Sequence, residues 1–268
     1  MVGRFLFLAA LVLPVTAIPA AADMSLDVSP VRVQVQMQAG GEYTNAVRVL
    51  NDGHEPVRLR AYLEDWFLDE VGTPVFRPVG TVRHTASVWM DAAPADFLLN
   101  PGQTKYVRFT VRTPEGLADG GYHGTLLLES LPLDRSEQKG MQMFVQGRIA
   151  VMVYVSVGDP TRSAEITALA TVRRNGANYL RMRIANTGED FIRLAGDVIL
   201  FEGSEAVQDA IPVPDVPVLP GNSRWVEFPL TEEHMFANYL ARVTIDIAGF
   251  GVLVGEAGLD PAKVELID

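Results

Sequence analysis

Residues 31–38 read Val31-Arg32-Val33-Gln34-Val35-Gln36-Met37-Gln38, apolar at every odd position and polar at every even one. A strand with one buried and one wet face produces this pattern, because successive side chains point to opposite sides of the chain. Working outward, Gly40-Gly41 turns the chain, Val47 and Val49 resume the alternation, and Asn51-Asp52-Gly53 turns it again. Val57, Leu59, Ala61 and Leu63 then alternate with Arg58, Arg60, Tyr62 and Glu64. Thr104–Val111, Tyr122–Leu131 and the long run Met141–Val157 continue the pattern, separated by Asn100-Pro101-Gly102, Thr113-Pro114 and Gly120-Gly121. Gly158-Asp159-Pro160 interrupts it near mid-chain. It returns at Ala164–Val172, Leu180–Ala185, Val198–Phe201, Ser223–Leu230 and Leu240–Ile247, with Pro212, Pro214, Pro217 and Pro220 punctuating one loop. About seven short strands in each half, without intervening helices, predict an all-β chain of two Ig-like β-sandwiches in tandem, 23–158 and 159–268.

The segment ahead of them, residues 1–22, has Arg4, an apolar run from Phe5 to Ile18, and the small residues Ala20-Ala21-Ala22 before Asp23. That is the layout of a cleavable signal peptide. As a helix the run spans about 21 Å, short of the ~30 Å hydrocarbon core. No later stretch is apolar enough for a bilayer span, so the mature chain is expected outside the cytoplasm without a membrane span.

The 268 residues suit two domains of about 110–130 each. With 48% hydrophobic and 21% charged residues, the composition is that of a folded globular chain. The formal charge is -11, from 22 basic and 33 acidic residues. Such a balance repels phosphate backbones, so no nucleic-acid partner is expected. There is no cysteine. This removes disulfides, thiol nucleophiles, iron–sulfur clusters and cysteine zinc sites.

Catalytic and metal signals are weak. His54, His84, His123 and His234 have no second His three to five residues away, and no metal is expected. Glu64-Asp65 and Asp69-Glu70 flank Trp66, Phe67 and Leu68; paired carboxylates serve acid–base work or calcium, but more often form a solvated loop. Gly249-Phe250-Gly251 with Gly255 lacks the spacing of a nucleotide loop and reads as a glycine-softened strand. Trp66, Trp89 and Trp225 sit in different segments, and large aromatics in sandwiches are more often core. No catalytic residue, enzyme activity or cofactor is expected.

The run Met141-Gln142-Met143-Phe144-Val145-Gln146-Gly147-Arg148-Ile149 places Met141, Met143, Val145 and Ile149 on one face and Gln142, Gln146 and Arg148 on the other. With Ser25–Val33, with Val47–Asn51 before Asp52-Gly53, and with Tyr122–Leu131 closing on Pro132, it resembles the PapD-like superfamily of periplasmic pilus-assembly chaperones. In the second half, Leu180–Asn186 and the turn Pro220-Gly221-Asn222-Ser223 are similar to that family's later pattern. The resemblance implies a periplasmic chaperone that binds secreted pilus or fimbrial subunits by donor-strand complementation, acting alone or beside an outer-membrane assembly pore. Met141, Met143, Val145 and Ile149 would then fill a groove in the subunit. Burying three such side chains contributes roughly 4–9 kcal/mol before ordering costs. The competing reading has the same residues facing the protein's own core.

The resemblance also implies that Arg32 holds the subunit's terminal carboxylate. A charge-assisted contact of this kind contributes ~1.5–3 kcal/mol. The family's second basic residue, a Lys, is replaced here by Ala150. Arg148 shares the strand face of Ala150, about 6.6 Å away along the strand, and is the candidate substitute. Alternatively, Arg32 is an ordinary outward-facing residue. Two further functions compete: a structural or adhesive Ig-like subunit that stays in a surface assembly, and a carbohydrate-binding or hydrolytic exoenzyme.

Overall fold

The computed structural model describes residues 25–133, 146–207, 210–231, 239–247, 250–260 and 264–267. The expected signal segment, residues 1–22, lies outside them, as do Met141, Met143, Val145, His234 and Gly249. The described residues contain strands and one short 3-10 turn, Ser87–Trp89, and no helix long and apolar enough to cross a membrane.

The first sandwich comprises β1 (Leu26–Ser29), β2 (Arg32–Met37), β3 (Glu42–Asn51), β4 (Val57–Leu68), β5 (Pro74–Arg77), β6 (Met90–Ala93), β7 (Asp96–Leu99), β8 (Thr104–Arg112), β9 (Gly120–Leu131) and β10 (Arg148–Val157). One sheet has the order β1-β3-β8-β6, the other β2-β10-β9-β4-β5, with β7 also paired to β4. The chain changes sheets between β1 and β2, so the opening segment seals both layers. The alternation decides which face is buried: Val33, Val47, Val49, Leu59, Val107 and Val153 meet in the core, while Arg32, Arg58 and Arg60 face outward.

The second sandwich comprises β11 (Ala164–Arg174), β12 (Ala177–Asn186), β13 (Ile192–Arg193), β14 (Ala195–Glu202), β15 (Glu205–Ala206), β16 (Ile211–Pro212), β17 (Pro217–Val218), β18 (Ser223–Leu230), β19 (Leu240–Asp246), β20 (Val252–Gly258) and β21 (Glu265–Leu266). Its layers run β18-β12-β11-β21 and β15-β14-β19-β20, with the small pair β13-β17 at one end and β16 on β14. Leu180, Met182 and Ile184 of β12 pack against Leu200 and Val243 from the opposite layer. The described strands β11 and β12 extend beyond the sequence reading because Asn175-Gly176, both at positive φ, closes them as a two-residue hairpin.

A third apolar cluster joins the sandwiches: Trp66 and Tyr154 from the first meet Phe191 and Leu219 from the second. The Trp66 and Tyr154 rings meet edge-on at 5.5 Å, and Tyr154 and Phe191 at 4.8 Å. Polar contacts lie beside them. The Ser156 hydroxyl donates to the fully buried carboxylate of Asp190, which also accepts two hydrogen bonds from Arg162, at 2.7 and 3.0 Å.

Candidate functional site

Odd residues of β10 point into the first core; Arg148, Ala150, Met152, Tyr154 and Ser156 take the other face. Along its length β10 pairs antiparallel with β9, from Arg148 opposite Glu129 to Val157 opposite Gly120. On its other side β2 pairs in parallel, but only from Met152 opposite Arg32 to Val157 opposite Met37. Among the described residues no strand pairs with Arg148–Val151 on that side. This leaves an open sheet edge immediately after the alternating run 141–147, ending where Arg32 begins β2.

Of the sequence-chosen apolar set, Ile149 is described: it is half-buried and packs against the first core. Arg148 faces outward, as alternation requires. Its guanidinium lies 3.7 Å from a Glu64 carboxylate oxygen and over the Phe76 ring. Next to this pair, Arg60 donates to Glu129 at 2.7 Å, and Gln146 donates to the other Glu129 oxygen. The structure does not bring Arg148 to Arg32. Arg32 is level with Met152, four residues beyond Arg148, or about 13 Å along the strand.

Arg32 instead meets the second sandwich. Its Nη1 lies 3.3 Å from Oδ2 of Asp215, while Arg193 Nε donates to Oδ1 of the same carboxylate at 2.6 Å. Arg193 also donates to the Asp215 main-chain carbonyl. The hydrogen bond from Arg193 holds the Asp215 carboxyl below the usual carboxylate range, with Arg32 adding to the effect. Tyr154 lies behind them; burial pushes its phenol up, while Arg193, Arg32 and Arg224 together pull it down. Two guanidiniums, one from each sandwich, thus meet at one carboxylate. Sequence reading missed Arg193 and Asp215. They stand 22 residues apart, and β13–β17 pairing, with Arg193 opposite Pro217, brings them together.

The other candidates have structural partners. Asp65 is fully buried and accepts the backbone N–H groups of Thr81 and Val82 and the Thr85 hydroxyl. Asp69 closes its own turn through the N–H groups of Val71 and Thr73. His123 is buried; its Nε2 donates to the Trp66 carbonyl at 2.9 Å, since a carbonyl only accepts. Trp66 is at the junction, Trp89 packs edge-on against Tyr122, and Trp225 lies beneath Arg181 and Arg183, so the three form no common platform. Among the described residues no group of three His, Cys, Asp or Glu is placed to hold a metal.

No protein-family model matches the chain, and no curated protein sequence does either. The class 5 fimbriae chaperone CfaA is 13% identical with a TM-score of 0.49, over 87% of this chain and 98% of its own. The Salmonella enterica SafB chaperone, solved with SafA pilin, is 13% identical with a TM-score of 0.46, over 90% and 99%. The E. coli chaperone DraB is 17% identical with a TM-score of 0.43, over 87% and 98%. All three of these structural neighbours are chaperones by name.

Proposed function

We propose that this chain is an exported, periplasmic chaperone of the PapD-like kind. It binds secreted pilus or fimbrial β-subunits by donor-strand complementation, as a binding protein rather than an enzyme, and assists their assembly at the cell surface. The observation that carries this reading is the open edge of β10 at Arg148–Val151, continuous in sequence with the apolar alternation of Met141, Met143 and Val145. An unpaired edge offers backbone donors and acceptors to an incoming strand, and alternate side chains offer it an apolar face. Met suits the second task, because its flexible thioether adapts to pockets of different shape.

The edge also has a polarity. A strand added to it in line with β2 and parallel to β10 would bring its C-terminal end to Arg32, where β2 begins. A chain-terminal carboxylate therefore meets a guanidinium, and Arg32 is the proposed holder. Arg148, engaged with Glu64 and about 13 Å distant along the strand, is assigned to the flank of the edge.

The test is co-purification of the tagged mature protein from its native envelope with mass spectrometry, beside Arg32→Ala and Met143→Asp. A small β-rich exported subunit in stoichiometric amount, lost in both variants, is the expected result. Recovery of no subunit, or equal recovery with both variants, overturns the mechanism and favours a structural Ig-like role.

A further inference from the structure

We propose that Arg193 is the second carboxylate-holding residue of the cleft, and that Asp215 is an internal stand-in occupying the Arg32–Arg193 fork until a client's carboxylate displaces it. The inference rests on the chaperone reading above and adds a residue from the other sandwich to its binding site.

Geometry comes first. Arg32 belongs to the first sandwich and Arg193 to the second, yet both approach opposite oxygens of one carboxylate. This is how two cations hold a single carboxylate between them. A cavity of about 270 Å³ lies beside Arg193, lined also by Gln34, Gln36, Ser156 and Phe191.

Asp215 is built to be released. Its carboxylate side chain is 62% exposed, and exposed ion pairs hold weakly. Its loop does not depend on that carboxylate, because Arg193 separately donates to the Asp215 main-chain carbonyl at 2.6 Å and Pro217 pairs opposite Arg193. Exchange of one carboxylate for another leaves the charge of the fork unchanged. The residue that replaces the family's Lys thus need not lie on β10, where Ala150 stands.

The arrangement makes the empty protein partly self-inhibited: a client must compete with Asp215. It also ties the two sandwiches to the same ligand atom pair, so the cleft reads a free chain terminus only when both domains are in place.

The experiment titrates the full mature chain with N-acetyl-L-phenylalanine, and separately with its amide, following the arginine Nε–H signals by NMR. In Asp215→Asn, the acid is expected to move the Arg32 and Arg193 signals together, at about 2- to 5-fold lower half-saturating concentration than in the native chain. The amide should move neither. Adding Arg193→Ala should weaken the acid about tenfold, with Arg193→Lys recovering part of the loss. Thermal unfolding of each variant checks that the fold is kept. Absence of saturable shifts, equal response to acid and amide, or movement of Arg32 alone overturns the proposal. Because the titration does not use the donor segment, an intact response with no subunit recovered from the envelope overturns the chaperone reading instead.

Discussion

His123 sits neutral in the folded protein, its ring edge-on to Trp66 at 5.1 Å and 4% exposed. Burial pushes its pKa down from 6.5 to about 4. The unfolded chain therefore takes up this proton first on acidification. The contribution of His123 to stability is complete above pH 6.5 and disappears as the pH falls from 6.5 to 4, a loss of about 3 kcal/mol. Urea unfolding of the native chain and His123→Gln at pH 7, 5.5 and 4.5 isolates the effect, since Gln can still donate to the Trp66 carbonyl. The native chain should lose more stability over that range; parallel pH dependence would contradict the assignment. No spacing rule marked His123, because its chemistry comes from the three-dimensional junction of β9 and β4. Arg32 was legible, as a polar residue on an alternating strand. Its partner, Asp215, and the Arg193 that shares that carboxylate come from a different sandwich.

At the scale of the element, the alternation of residues 31–38 and 57–64 described β2 and β4 because each strand has one buried and one outer face. The same rule placed Arg148 outward and Ile149 inward. Pairing is another matter. Period two says which side chains are buried, but not that β2 begins only at the level of Met152 and so leaves Arg148–Val151 of β10 unpaired on that side among the described residues, which depends on where another segment starts. The β9 strand carries a further constraint at the junction. A Cβ added at Gly121 would lie 2.5 Å from Asp190 Oδ1 and 2.8 Å from the Phe191 nitrogen, whereas at Gly120 the nearest atom is 3.5 Å away. Gly121→Val should therefore cost about 1–3 kcal/mol by overpacking, and Gly120→Ala far less. Equal unfolding midpoints for the two variants would contradict this account of the junction.

At the scale of the molecule, two separate cores are joined through Trp66, Tyr154, Phe191 and Leu219, and through the buried Asp190. Arg162 and Asp190 pair within the second sandwich; the junction is crossed by the Ser156 hydroxyl, which donates to the buried Asp190 carboxylate, and by the exposed Arg32–Asp215 pair, which holds weakly. The result is a pair of sandwiches joined at a shared apolar junction, with one side of β10 unpaired from Arg148 to Val151 among the described residues and Arg32 at the end of that stretch. On the proposed reading, that stretch receives a strand of an incomplete β-fold. The most direct test is hydrogen–deuterium exchange on the chain alone and in complex with its captured subunit. Amides from Met141 to Val151 are expected to become at least about tenfold slower to exchange in the complex, as edge groups acquire backbone partners. A captured subunit that leaves 141–151 unchanged and protects only the second sandwich would contradict the account.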